Sequence, residues 1–148
     1  MGVIHETGHA RYEQNLPQQW RGQPVALARS TAIHESQSLF MEMQLGRSRE
    51  FLQRILPQVI ATFGDQPALQ ADNFVRLTQQ VKPGLIRVDA DELSYPAHVI
   101  LRYEIEQALI EGEIEVEDIP ALWDEKMMQS LGLDTRGNYR AGCMQDIH

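Results

Sequence analysis

The chain has 148 residues, 43% of them hydrophobic and 23% charged, the composition of a globular domain long enough to bury a core. Thirteen Lys and Arg stand against 21 Asp and Glu, a formal net charge of −8, so nothing in the balance attracts a nucleic acid or an anionic membrane surface. The single cysteine, Cys143, excludes an internal disulfide and fits a reducing compartment; no run of about 18 apolar residues is present to span a membrane, and no signal-peptide pattern opens the chain, which leaves the cytoplasm as the expected location.

A first helix is expected over residues 3–15, ending at Leu16-Pro17. Pro17, Gly22 and Pro24 make residues 16–29 a loop, and Ser30 or Thr31 is placed to cap the next helix. That helix is expected over residues 32–63, broken or bent around Gly46 and Pro57. Leu39, Phe40, Met43, Phe51, Leu52, Ile55, Val59 and Phe63 recur along it at spacings of three and four and form one apolar stripe. A third helix is expected from Asp72 to Val81, with Asp72 near its cap, followed by a turn at Lys82-Pro83-Gly84. Leu85 to Asp89 alternate apolar and polar residues and read as a short strand, which needs a partner. A fourth helix, Leu93 to Glu111, carries Pro96 in its first turn and Gly112 after its end; a fifth, residues 118–131, carries Pro120 early and is closed by Gly132. The expected fold is mainly α, a single domain over residues 1–148 with one short β element.

Chemistry is concentrated in His5-Glu6-Thr7-Gly8-His9. On a helix, residues four apart share a face, so His5 and His9 point two imidazoles at one place. Zinc suits such ligands, and a catalytic zinc site takes three protein ligands and keeps one position for water. Glu6, one residue along, can reach that water as general base and later deliver the proton to a leaving amine. The bland alternative is two surface histidines flanking a solvated glutamate. No third histidine follows at the short spacing that marks the metzincins. The best third ligand is Glu35, in His34-Glu35-Ser36-Gln37-Ser38, although a carboxylate early in a helix can equally serve the helix dipole.

Taken together, His5 to Gln14 and His34 to Ser38 resemble the carboxypeptidase Taq family of zinc metallocarboxypeptidases, which has an H-E-x-x-H motif and a later H-E-S-[GQ] motif. Ile86-Arg87-Val88-Asp89-Ala90-Asp91 is similar to that family's [IN]-R-x-x-A-D motif. Gly142, Gln145, Asp146 and His148 match its G-x-x-Q-D-x-H-W motif up to the final Trp. Upstream H-P-F and D-x-R-x-T motifs are absent, so the chain resembles a catalytic fragment of a larger, helical, zincin-type metallopeptidase. Its zinc-binding helices would be residues 3–15 and 32–63, its substrate-motif region residues 85–111, and its C-terminal helix residues 118–131.

The resemblance implies that His5, His9 and Glu35 hold Zn2+, with Co2+ as an alternative occupant, and that Glu6 is the general base. It implies that Arg87 holds the substrate's C-terminal carboxylate, which a guanidinium fork can grip with two hydrogen bonds; a salt bridge to Asp89 or Asp91 is the structural alternative. His148 would hydrogen-bond substrate or the tetrahedral intermediate. His34 and Asp91 are candidates to stand behind the ligands and orient them, against readings as a satisfied buried histidine and a helix-terminus acid. His98 is expected to pack or hydrogen-bond, and Cys143 to be a small core residue. The implied partner is a peptide with a free C-terminal carboxylate, and the implied assembly a homodimer. The competing reading is a remnant that retains metal binding or self-associates without turnover. A zinc endopeptidase fits less well, because it has no carboxylate for Arg87 to hold.

Overall fold

The computed structural model describes residues 2–145, and among them the ordered elements are all helical. The chain forms two compact units that divide between Gln79 and Gln80. No described helix is long and apolar enough to cross a membrane.

The first unit contains α1 (Gly2–Gln14), α2 (Thr31–Leu39), α3 (Arg49–Phe63) and α4 (Ala71–Thr78). The loop between α1 and α2 holds two short 3-10 turns, Gln18–Trp20 and Pro24–Ala26. Ser30 caps α2 by accepting the Ile33 N–H at 3.2 Å, and Ser48 caps α3 by accepting the Phe51 N–H at 3.3 Å. The stretch expected over residues 32–63, broken or bent around Gly46, is therefore broken there into two helices. Beyond α2 the backbone widens into a π turn, Phe40–Leu45, and the Gly46 N–H reaches back five residues to the Met41 carbonyl at 2.8 Å. Pro57, expected as a second break, lies inside α3. The carbonyl it leaves without a donor belongs to Gln53, and both residues are exposed, so water can take the place of the missing N–H. Of the apolar stripe, Met43 and Leu52 are buried, whereas Phe40 and Phe63 are 51% and 71% exposed. The third helix ends earlier than expected, at Thr78, and Asp72 stands near its N-cap, in the first turn, bonded to Arg49 at 2.6 Å.

The second unit is built on α5 (Ser94–Ile110) and α6 (Ile119–Leu131). Leu101 and Ile105 of α5 meet Trp123 and Met127 of α6, each pair four residues apart and so on one face, and Leu85, Ile114, Leu133 and Cys143 pack around them. Burial pushes the Cys143 thiol up, which suits a packing residue and not a thiolate nucleophile. Arg102 lies over the Trp123 ring, 4.5 Å from its centroid. His98 is fully buried and donates from Nε2 to the Gly84 carbonyl at 2.9 Å, the hydrogen-bonding role expected for it. Gly132 closes α6 in the left-handed region at φ +69°, which glycine adopts without a Cβ penalty.

The expected strand over residues 85–89 is not formed. Ile86 is extended, but Arg87–Asp89 turn into a 3-10 helix. A side chain meets the backbone groups that a strand would offer to a neighbour: Gln145 Nε2 donates to the Leu85 carbonyl at 2.9 Å, and Gln145 Oε1 accepts the Arg87 N–H at 3.1 Å. One amide does locally what a second strand would do, so the alternation never extends into a sheet.

Asp91 is buried at the start of α5. Its Oδ1 accepts the N–H groups of Leu93 and Ser94, both at 2.9 Å, and its Oδ2 accepts that of Lys82 at 2.8 Å. Burial raises its pKa, but the donors of Ser94, Lys82 and Leu93 outweigh this and hold the carboxyl below its ordinary range. Asp91→Ala should cost about 1–2 kcal/mol in urea denaturation near neutral pH, the cost of a lost cap with its donors left unmet. Because the folded pKa is the lower one, the unfolded chain binds more protons as acid is added. The advantage over Asp91→Ala should thus be complete above about pH 4 and disappear as pH falls through the folded value.

Candidate metal centre

Within the first unit, α1 and α2 run antiparallel. Along α1, His5 meets Glu42, Gly8 meets Ser38, and His9 meets Glu35 and His34, so partners descend as α1 ascends. The approach is closest at Gly8, which is buried. A Cβ placed there would lie 2.4 Å from the Ser38 Cα and 2.5 Å from the Gln37 carbonyl oxygen. Ser38 is itself fully buried, and its hydroxyl donates to the Glu35 carbonyl at 2.7 Å while lying 3.3 Å from Glu35 Oε2. The helix contact therefore sets both the spacing of the two helices and the attitude of Glu35.

That contact brings three of the expected ligands together. Glu35 Oε2 lies 3.7 Å from His5 Nε2 and 3.4 Å from His9 Nε2. These separations are long for hydrogen bonds. They match the edge of a small tetrahedron: donors about 2.0–2.1 Å from a central zinc stand roughly 3.4 Å apart. Two imidazole nitrogens and one carboxylate oxygen converging in this way form a donor set that fits zinc. Their side chains are 20%, 26% and 34% exposed, so solvent retains access. A cavity of about 510 Å3 borders the group, lined by His9, His34, Glu35, Ala28, Ser30 and Thr31. Glu6 is exposed on α1 beside His5 and one turn before His9.

The other ring nitrogens point away from this centre. His5 Nδ1 lies 2.9 Å from Glu42 Oε2. His9 Nδ1 lies 2.6 Å from His34 Nδ1, and His34 Nε2 lies 2.8 Å from Glu13 Oε1. The Tyr12 ring packs edge-on against His34 with centroids 5.1 Å apart. His34 thus lies against the far side of His9, one of the expected ligands. Asp91 has its oxygens occupied at the start of α5, the helix-terminus alternative weighed for it. Arg87 and Asp91 belong to the second unit, where Gln145 braces the Arg87 backbone. His148 lies outside the described residues.

Sequence reasoning passed over Glu13, Glu42, Ser38 and Gly8. The signal for the two acids was present: Glu13 is four residues beyond His9, and Glu42 is seven beyond Glu35, two turns of helix, so each falls on the face of an expected ligand. Gly8 carried no such signal, because nothing local says which face of α1 another helix will press.

The model of the carboxypeptidase Taq (M32) metallopeptidases matches residues 1–148. Carboxypeptidase 1 of Bacillus subtilis is 43% identical over 99% of this chain and 29% of its own length, and thermostable carboxypeptidase 1 of Thermus thermophilus is 42% identical with the same coverage. The solved structure of Trypanosoma cruzi metallocarboxypeptidase 1 superimposes with a TM-score of 0.88 at 57% identity, over 99% of this chain and 30% of that one. The chain therefore spans about 30% of the length of its relatives, and it belongs to the carboxypeptidase Taq (M32) metallopeptidase family.

Proposed function

We propose that this chain carries the catalytic segment of a zinc-dependent metallocarboxypeptidase that hydrolyses the C-terminal peptide bond of peptides. The observation that carries the proposal is the convergence of His5 Nε2, His9 Nε2 and Glu35 Oε2 beside Glu6, on helices held together at Gly8. His5, His9 and Glu35 would hold the zinc, which when bound would supply a Lewis acid for the scissile carbonyl and for activating water near neutral pH. Glu6 takes a proton from the attacking water and returns it to the leaving amide nitrogen. Arg87 grips the terminal carboxylate of the substrate and so registers the chain end, its backbone being fixed by Gln145. His148 is assigned a donor role toward the substrate.

A second reading, metal binding or self-association without turnover, is favoured by large apolar residues left exposed, among them Phe63 at 71% and Ile110 at 76%. One experiment separates the two. Zinc is measured by elemental analysis, and hydrolysis is assayed with a blocked dipeptide bearing a free C-terminal carboxylate and with its amide. The expected result is one zinc per chain, cleavage of the acid only, and loss of zinc in Glu35→Ala. Zinc retained in Glu35→Ala overturns the ligand assignment. Equal cleavage of acid and amide points to an endopeptidase, and zinc uptake with neither substrate cut establishes the second reading.

A further inference from the structure

Resting on the zinc assignment, we infer that Glu42 and Glu13 are positioning residues for the metal centre, Glu42 directly behind His5 and Glu13 behind His9 through His34. The inference follows from which atoms face which way. Both ligand imidazoles turn Nε2 toward Glu35, so a metal-binding nitrogen must be unprotonated Nε2, and the ring proton of each neutral histidine must sit on Nδ1. His5 Nδ1–H then donates to Glu42 Oε2 at 2.9 Å. His9 Nδ1–H donates to His34 Nδ1 at 2.6 Å, which obliges His34 to carry its own proton on Nε2 and donate it to Glu13 Oε1 at 2.8 Å. Each bond has only one direction consistent with metal binding, and each chain ends on a carboxylate, which can only accept. Tyr12, packed edge-on against His34, restrains the ring that links the two ends.

A metal-ligating histidine whose other nitrogen is held in this way keeps one tautomer and one ring orientation, and loss of the holding group typically costs about 10–100-fold in metal affinity. The arrangement is asymmetric. Glu42 is mostly covered, its side chain 16% exposed, and acts in one step; Glu13 is 53% exposed and acts in two. Without the relay, the Glu13–His34 contact would be an ordinary surface pairing, with no reach to the metal.

The exposure of Glu13 makes it the sharper test. Zinc affinity is read by competition with a chromophoric chelator, and the melting of the metal-free chain by circular dichroism. Glu42→Ala and Glu13→Ala should each weaken zinc about 10–100-fold. Glu13→Ala should leave the metal-free melt unchanged, and Glu13→Gln, which keeps an acceptor oxygen at the same reach, should recover most of the affinity. In a His34→Ala background, Glu13→Ala should have no further effect, because its route to His9 is already cut. Wild-type zinc affinity in Glu13→Ala, or an effect of equal size with and without His34, overturns the relay; unchanged affinity in Glu42→Ala overturns the direct arm. Those results leave the zinc site itself standing, whereas a wild-type chain that takes up no zinc overturns the site and the inference together.

Discussion

Gly8→Ala should remove zinc binding and destabilise the metal-free chain by about 1–3 kcal/mol or more, the cost of forcing extra volume into a packed contact. Two effects of opposite sign compete at this position. Glycine inside a helix is less favourable than alanine by about 0.5–1 kcal/mol, so helix propensity alone predicts that the substitution stabilises α1. The packing predicts the reverse. The new Cβ would stand 2.4 Å from the Ser38 Cα and 2.5 Å from the Gln37 carbonyl oxygen, both backbone atoms of the facing helix, so no side-chain rotation relieves the overlap. The helices must separate, and the separation moves Glu35 away from His5 and His9, since Glu35 lies three residues from Ser38 and is oriented by its hydroxyl. The sign of the change in urea midpoint decides between the two effects, and zinc content reports the consequence for the site. A stabilised Gly8→Ala chain that still binds zinc would show that the close approach of α1 and α2 does not set the metal geometry.

What could be read from the sequence follows how local each determinant is. His5 and His9 lie four residues apart on one helix, so their common face follows from helical spacing alone, and Glu6 stands between them in sequence. The caps and stops of α2, α5 and α6 were legible for the same reason, through Ser30, Pro96, Pro120 and Gly132. Glu35 reaches the histidines across a loop, and its place beside them became an expectation only once several motifs were read together. The strand was misread because alternation records the exposure of a segment and not what bonds to it; the bonding partner, Gln145, is sixty residues from Leu85. Similarly, Pro57 signals a break or bend, yet α3 continues through it, and the carbonyl it frees belongs to the exposed Gln53, where water can replace the missing donor. The outer carboxylates Glu13 and Glu42 shared faces with the proposed ligands, yet solvated acids share such faces routinely, and only the distances to His34 and His5 distinguish them.

Glu6→Gln should lower kcat by about 10²–10⁴-fold, the usual contribution of a positioned general base, with zinc content unchanged. The substitution keeps the length and shape of the side chain and removes its ability to accept a proton at neutral pH. The metal should stay because the three proposed donors are His5, His9 and Glu35, whereas Glu6 projects from an exposed position between the two histidines. That exposure also means that the amide buries no unmet polar group, so the melting of the metal-free chain should stay near wild type. Paired measurements on one preparation are decisive: turnover of the blocked dipeptide with a free carboxylate, and zinc by elemental analysis. A loss of activity that tracks a loss of zinc would make Glu6 a structural support of the site. Activity within a few-fold of wild type at full zinc occupancy would remove it from the proton-transfer role. Only low turnover in a fully loaded, stably folded variant places the proton on Glu6, and that result would separate the base from the ligands on a helix where all three lie within five residues.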